Sequence, residues 1–319
     1  MIATMRPMLA TPGTHVPPGK EWAHEVKWDG IRLLADTALR RRDGTPRLWT
    51  RNENDASTAW PEIAGAGPDD RDLLVDGEAI ALNERGVPDF RVLGERMHVR
   101  DATRAARLAQ SRPATYMVFD VLRLDGRDLT TRPWSERRAI LEDLDLGAWQ
   151  VPQTYDDGAM LHRVTRDQGL EGIVSKRRCA PYRPGERSRE WLKFPHRFRA
   201  SYVVGGWRPQ VGTADRLAAL LVGQPTPAGL VYRGRVGSGI GSVESRQLRD
   251  LLGVGVASPF LDGDADPTGG VPREDRVGTF WVEPRVVVDV ETHGKHLYDR
   301  LRQPAFVAVR PDLGPEDLL

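Results

Sequence analysis

Along the first 195 residues, short apolar runs separated by Asp-Gly pairs read as β-rich hairpins with a few helices between them. Ile31–Thr37 and Arg47–Thr50 flank an Asp43-Gly44 turn, a favourable hairpin signal. Leu73–Val75 and Ala79–Leu82 are expected to flank a second turn at Asp76-Gly77. Thr115–Leu124 is a longer strand, rich in the β formers Tyr116, Val118, Phe119 and Val121 and stopped by Asp125-Gly126. Two segments carry helix signals. Pro133–Leu144 has proline near its start and apolar Trp134, Ile140, Leu141 and Leu144. Asp156–Gln168 is followed by Gly169 in the position of a left-handed cap. Residues 172–177 then read as a short buried strand.

The composition shifts after Trp191–Phe194, and Pro195–Ala200 is expected to be a linker between a domain of residues 1–195 and one of residues 196–319. Beyond it come short apolar strands at Tyr202–Trp207, Leu217–Val222, Leu230–Arg235 and Val286–Val290. One helix, Ser242–Leu252, interrupts them, and a Gly/Asp/Pro-rich loop spans Asp262–Pro272. That pattern fits a small Greek-key barrel of the OB type, with a β-sandwich fragment as the alternative. At 319 residues the chain is long enough for each half to bury its own core.

Composition changes this picture in one respect. A hydrophobic share of 39% and a charged share of 29% are those of an ordinary globular chain. No apolar run approaches the roughly 20 residues of a membrane helix, and the N-terminus lacks a signal-peptide core. The single cysteine, Cys179, excludes an internal disulfide and fits a reducing cytoplasm. A formal net charge of +1 gives no support to a nucleic-acid partner, so any phosphate-binding surface must be local. The kind of charge is more telling: of 46 basic residues only five are lysine, namely Lys20, Lys27, Lys176, Lys193 and Lys295. Arginine stays protonated, whereas lysine can lose its proton and act as a nucleophile.

Three of those lysines fall in segments that carry chemistry. Lys27-Trp28-Asp29-Gly30-Ile31-Arg32 would hold a lysine at a sharp bend before a strand, its amine projecting into a cleft, with Asp29 a turn residue rather than an acid or base. Alone this is a weak signal, because the chain contains six Asp-Gly pairs. Four further segments follow in order: Leu74-Val75-Asp76-Gly77-Glu78, Tyr116-Met117-Val118-Phe119-Asp120, Glu171-Gly172-Ile173-Val174-Ser175-Lys176 and Trp191-Leu192-Lys193. Each is ordinary in isolation.

As an ordered set, together with Arg51 in Trp49-Thr50-Arg51-Asn52, they resemble the nucleotidyltransferase superfamily of ATP-dependent DNA ligases, RNA ligases and mRNA capping enzymes. The chain is most similar to the ligase modules of bacterial end-joining ligases and their stand-alone relatives. These share the run Glu171–Arg177, the loop Pro181–Gly185, the Gly205-Gly206-Trp207 start of the second domain, and Gly234–Gly239. The resemblance implies an α+β fold: a nucleotidyltransferase (adenylation) domain of antiparallel sheets with flanking helices, followed by an OB-fold β-barrel. It implies an ATP-dependent DNA ligase acting through a Lys–AMP intermediate and DNA-adenylate, with an RNA ligase or a GTP-dependent capping-type enzyme as the alternative.

By the same resemblance Lys27 is the catalytic nucleophile, which must be neutral to attack, a state favoured by nearby cations or desolvation. Glu25 would accept from the adenine amino group, and Phe119 and Val174 would cover the two faces of the base. Val26 and Arg32 would complete the nucleotide site. Arg51 and Glu78 would lie near the ribose and the DNA 5′-phosphate. Lys176 and Lys193 would contact the α-phosphate, and Glu171 with Glu78 would hold Mg²⁺ or Mn²⁺. Arg310, or Arg302, would orient the pyrophosphate. Two departures stand out: Pro195 and Leu313 occupy places where the family often has lysine. The expected partner is nicked double-stranded DNA, gripped by a monomer without a DNA-encircling helical domain. The enzyme would work in DNA repair at the bacterial nucleoid, in the cytoplasm and off the membrane, with repair proteins the sequence does not name.

Overall fold

The computed structural model describes residues 5–41, 43–68, 70–213, 216–253, 257–261, 270–293 and 300–319. Most of the Gly/Asp/Pro-rich loop and Lys295 lie outside these residues. The chain divides into two units, Met1–His196 and Arg197–Leu319.

The strands of the first unit are β1 (Leu9–Pro12), β2 (Trp22–Val26), β3 (Ile31–Arg40), β4 (Pro46–Thr50), β5 (Leu73–Ile80), β6 (Thr115–Leu124), β7 (Arg127–Asp128), β8 (Gly172–Arg177) and β9 (Arg187–Pro195). They form two sheets, ordered β1-β9-β8-β2 and β4-β3-β5-β6-β7. Only the β1–β9 pairing is parallel among those described. Helices α1 (Pro61–Ala64), α2 (Phe90–Gly94), α3 (Ala102–Ser111), α4 (Trp134–Asp143) and α5 (Gly158–Asp167) flank the sheets.

Alternation along the strands sorts side chains to two cores. Leu33, Ala35, Leu73 and Val75 join Ile63, Leu93 and Leu141 of the helices on one face of the second sheet. Leu34, Leu74, Phe119 and Leu122 join Met8, Ala23 and Trp191 of the first sheet on the other face. Both faces of β3, β5 and β6 are therefore dry, which is why these strands read as continuous apolar runs. Each large aliphatic side chain so buried contributes about 1.5–3 kcal/mol. Helix α5 packs outside the first sheet, where Leu161 meets Ile173 and Phe194. It ends as expected, with Gly169 at φ +70° just beyond its last turn.

Two expectations are corrected here. Asp76-Gly77 is not a turn, because β5 runs straight through it. Asp76 is held by Arg32 and by the hydroxyl of Tyr182. Gly77 lies so close to β6 that a Cβ would come within 2.6 Å of the Met117 carbonyl oxygen, at a register irregularity between the two strands. Pro195–Ala200 is not an extended linker either: β9 ends at Pro195 and β10 (Phe198–Pro209) begins three residues later.

In the second unit, β10 is followed by β11 (Leu217–Thr226), β12 (Gly229–Val236), α6 (Ser242–Leu251), α7 (Arg273–Arg276), β13 (Phe280–Trp281), β14 (Val287–Thr292) and β15 (Ala305–Val309). The sheet order is β12-β11-β10-β14-β15, with β13 also on β10. Phe306 N–H donates to the Ser238 carbonyl at 2.8 Å, and a parallel bridge joins Ser238 to Ala305, so the last strand meets the chain leaving β12 and closes the OB barrel. Val204, Leu220, Val222 and Val288 fill it together with Leu248 of α6. Leu313, where the family often has lysine, packs against a second apolar cluster around Val203 and Leu221.

Candidate active site

The site is built where β2 and β8 lie side by side. Lys27 follows the last residue of β2, and its N–H donates to the carbonyl of Gly172, the first residue of β8, at 2.9 Å. Gly172 adopts φ +142°, and a Cβ there would stand 2.2 Å from the Phe194 carbonyl oxygen, so only glycine allows this approach. The approach sets the Lys27 amine 2.5 Å from Glu171 Oε2. Beyond Lys27 the chain bends into β3 through Asp29 and Gly30. A Cβ on Gly30 would meet the Ala79 carbonyl oxygen at 2.2 Å, so this glycine lets β3 lie against β5. Asp29 faces the Phe90 N–H at 3.5 Å, a structural role as expected of a turn residue.

Around Lys27 opens a cavity of about 210 Å³. Its lining brings together ten of the residues singled out in the sequence: Glu25, Val26, Lys27, Arg32, Arg51, Glu78, Phe119, Val174, Lys176 and Lys193. Pockets that enclose a whole small-molecule ligand usually measure about 300–1,000 Å³, so a base fits inside while a triphosphate must extend beyond. Glu171 reaches the cavity through Lys27. Arg310 belongs to the second unit, where it forms a fork with Asp312 (2.9 and 2.7 Å) and approaches Asp289. That fork holds Asp312 down at about 2 and raises Arg310 above its ordinary value.

Five lining residues lie outside that set: Leu9, Ala10, Trp28, Arg187 and Trp191. Trp28 and Trp191 stood inside the motifs as quoted, but nothing in spacing tells which way an indole turns. Leu9, Ala10 and Arg187 enter because β1 runs parallel to β9, a pairing of distant segments that no local pattern announces. Arg187 donates to the Ala10 carbonyl at 2.6 Å across that pairing.

The electrostatics differ between the two ends of the cavity. At one end Lys176 is buried and lies 2.8 Å from Glu25 Oε2. Its ammonium also donates to the Phe119 carbonyl at 3.3 Å. Burial lowers its pKa, with Glu25 opposing. Glu25 Oε1 is buried without a hydrogen-bond partner, as are the indole nitrogens of Trp28 and Trp191. Arg32 forks onto Asp76 at 2.5 and 2.6 Å and lies 4.6 Å from the centroid of the Phe119 ring. At the other end, burial pushes the Glu78 carboxyl up to about 8, against the pull of Arg32 and Lys27 and with the push of Glu171. Lys193 is lowered by burial and by Lys27 and Arg187 beside it.

Glu78, pushed up in part by Glu171, and Glu171 beside Lys27 offer two carboxylates to a divalent cation. Among the described residues no group of three or more His, Cys, Asp or Glu is gathered to cage a metal. Mg²⁺ commonly takes only one or two carboxylates and completes its shell with water and substrate phosphates, so Glu171 and Glu78 suffice. Among the described residues no helix is long and apolar enough to cross a membrane.

Known proteins share this arrangement. A family model described as ATP dependent DNA ligase domain matches residues 7–194, and one described as ATP dependent DNA ligase C terminal region matches residues 213–313. The chain is 32% identical over 321 residues to the multifunctional non-homologous end joining DNA repair protein LigD of Mycobacterium tuberculosis, covering 99% of this chain and 40% of that protein. It thus spans about two fifths of that relative's length. It is 33% identical over 236 residues to DNA ligase C of the same organism, covering 70% of this chain and 63% of the other. Among solved structures, the ligase domain of M. tuberculosis LigD matches with a TM-score of 0.54 at 32% identity, covering 99% of this chain and 98% of that one. Mycobacterial DNA ligase D complexed with ATP and MES matches with a TM-score of 0.56 at 33% identity and the same coverage. The two models fall in order along one chain, and the family they describe is the one to which this chain belongs, the ATP-dependent DNA ligases.

Proposed function

We propose that Lys27 carries AMP between ATP and the 5′-phosphate of a nick in double-stranded DNA, and that the chain does so as a monomer in bacterial DNA repair. The observation behind this reading is the Lys27 amine, held 2.5 Å from Glu171 beside a cavity sized for a base. In the first step the neutral amine attacks the α-phosphorus of ATP. A nitrogen–phosphorus bond forms, the bond to pyrophosphate breaks, and Glu171 is placed to receive the amine's proton. In the second step a 5′-phosphate oxygen displaces the Lys27 nitrogen from that phosphorus. In the third the 3′-hydroxyl attacks the activated 5′-phosphorus and AMP leaves.

The remaining residues bind and orient. Glu25 Oε1, an acceptor without a partner, suits the adenine amino group. Phe119 and Val174 wall the base, and Val26 packs beside it. Lys193 and the rim arginines Arg51 and Arg187 supply positive charge toward phosphates. Arg310 would act from the second unit on the pyrophosphate. A divalent cation, when bound by Glu171 and Glu78, neutralises charge on the phosphates. Similarity to an end-joining LigD supports a role in rejoining broken DNA, in the cytoplasm at the nucleoid and with further repair proteins. Both family models are of DNA ligases, which disfavours the RNA-ligase and capping-type alternative.

Incubation with α-labelled ATP and Mg²⁺ or Mn²⁺ is expected to label the protein covalently. Lys27→Ala and Lys27→Arg should abolish the label. Labelling by GTP in place of ATP would refute the assignment.

A further inference from the structure

Lys176 is almost wholly enclosed, its side chain 2% exposed and that of Glu25 4%. Its ammonium is met by Glu25 Oε2 at 2.8 Å, by the Phe119 carbonyl at 3.3 Å, and by the rings of Phe119 and Trp191, each centroid 4.4 Å away. The pair is built into the sheet. Ala23 faces Lys176 and Glu25 faces Val174 across β2 and β8, so the two side chains are diagonal neighbours on one face. One oxygen of Glu25 is thereby fixed by a cation. The other, Oε1, is buried without a partner, and Glu25 lines the cavity.

An ionised carboxylate only accepts hydrogen bonds. Facing the edge of a purine, it attracts an amino group at position 6 and repels a carbonyl oxygen there. Which atom of the base edge Oε1 faces therefore decides which purine fits, and Lys176 fixes where Oε1 stands.

We propose that Lys176 is a positioning residue for base selection, fixing one oxygen of Glu25 so that the other stands where the cavity takes a 6-amino purine nucleotide and refuses a 6-oxo one. The proposal rests on the reading in which this cavity binds the base of the nucleotide that charges Lys27. Without Lys176 neither oxygen of Glu25 is fixed, and the carboxyl can turn its acceptor away from the 6-position. A lysine touching the α-phosphate would behave differently. ATP and GTP carry the same triphosphate, so its loss would weaken both nucleotides alike.

The test is covalent labelling with α-labelled ATP and α-labelled GTP in parallel, on wild type, Lys176→Met and Lys176→Arg, in the presence of Mn²⁺. Wild type is expected to prefer ATP strongly, as sites that hydrogen-bond a polar group reject analogues lacking it by roughly 10⁴-fold or more. In Lys176→Met the ATP/GTP ratio of kcat/KM should fall at least tenfold, whereas Lys176→Arg, which keeps the charge, should retain the preference. Equal losses with both nucleotides and an unchanged ratio in Lys176→Met would overturn the proposal. If Lys176→Met lacks a native circular-dichroism spectrum, Lys176→Gln, which is shorter and uncharged and so releases Glu25, takes its place with the same two outcomes. Wild-type protein labelled by neither nucleotide would sink the underlying reading, a result distinct from a labelled protein whose ratio does not move.

Discussion

Arg32 ties the wall of the cavity to the core beneath it. Its guanidinium forks onto Asp76, which is fully buried and also accepts from the Tyr182 hydroxyl. Arg32→Ala would strand that carboxylate without a cation, a loss of about 3–5 kcal/mol for a buried pair. Urea unfolding should show it, with Arg32→Lys intermediate because lysine keeps the charge but not the fork. Lys27, Glu25 and Glu78 were legible as cavity residues because they sit in short ordered motifs on or beside strands. Lys176 was legible as a cavity residue, but its diagonal neighbour Glu25 follows only from the register of β2 against β8. The indoles of Trp28 and Trp191 escaped for the same reason, since a sequence records that a side chain is present and not which cavity it meets.

At the scale of elements, the strands that alternate cleanly were readable and those whose purpose is pairing at a distance were not. Thr115–Leu124 emerges with the bounds its β formers suggested, whereas β1 and β15 escaped notice. Asp76-Gly77 looked like a turn because Asp-Gly is read by local propensity alone, while here tertiary pairing overrides it. Gly77→Ala would press a Cβ against the Met117 carbonyl oxygen and the Tyr116 ring, and overpacking of that kind costs about 1–3 kcal/mol. A shift in the denaturation midpoint at unchanged slope would confirm it.

The packing of α5 onto β2 makes a second prediction. Gly158, the first residue of the helix, closes over the His24 ring so tightly that a Cβ would stand 2.4 Å away, and His24 Nδ1 is 2.8 Å from Ser175 Oγ. Burial, aided by Arg178 and opposed by Asp157 and Asp156, holds His24 below its ordinary 6.5. Above that value both folded and unfolded chains carry a neutral ring, so the group leaves stability independent of pH. As pH falls below about 6.5 the unfolded chain takes up the proton first, and stability declines. The urea midpoint should therefore drop between pH 7 and 5. His24→Asn, which can still reach Ser175, should flatten that drop, with His162 and His196, also held low by burial, supplying the remaining slope.

At the scale of the whole molecule, each unit closes around cores of its own. Separately expressed fragments 1–196 and 197–319 are expected to fold, each with one cooperative urea transition. With a net charge of only +1, the grip on DNA proposed above would come from local phosphate contacts. Raising the salt should then increase the apparent KM for nicked DNA steeply while changing covalent labelling by ATP far less. The two units meet between His196 and Arg197, and the junction is short because the sheet register carries β9 on to Pro195. The order β1-β9-β8-β2 has a consequence for how the protein comes into being. The earliest strands made on the ribosome lie at the two edges of a sheet whose middle is made last. With synthesis at about 5–20 residues per second, β2 waits roughly ten seconds to half a minute for β8, its edge unpaired and open to other chains. Until β8 arrives the nascent chain has Lys27 but not Glu171, the carboxylate 2.5 Å from its amine, so the pair at the floor of the cavity can form only after most of the first unit has been made.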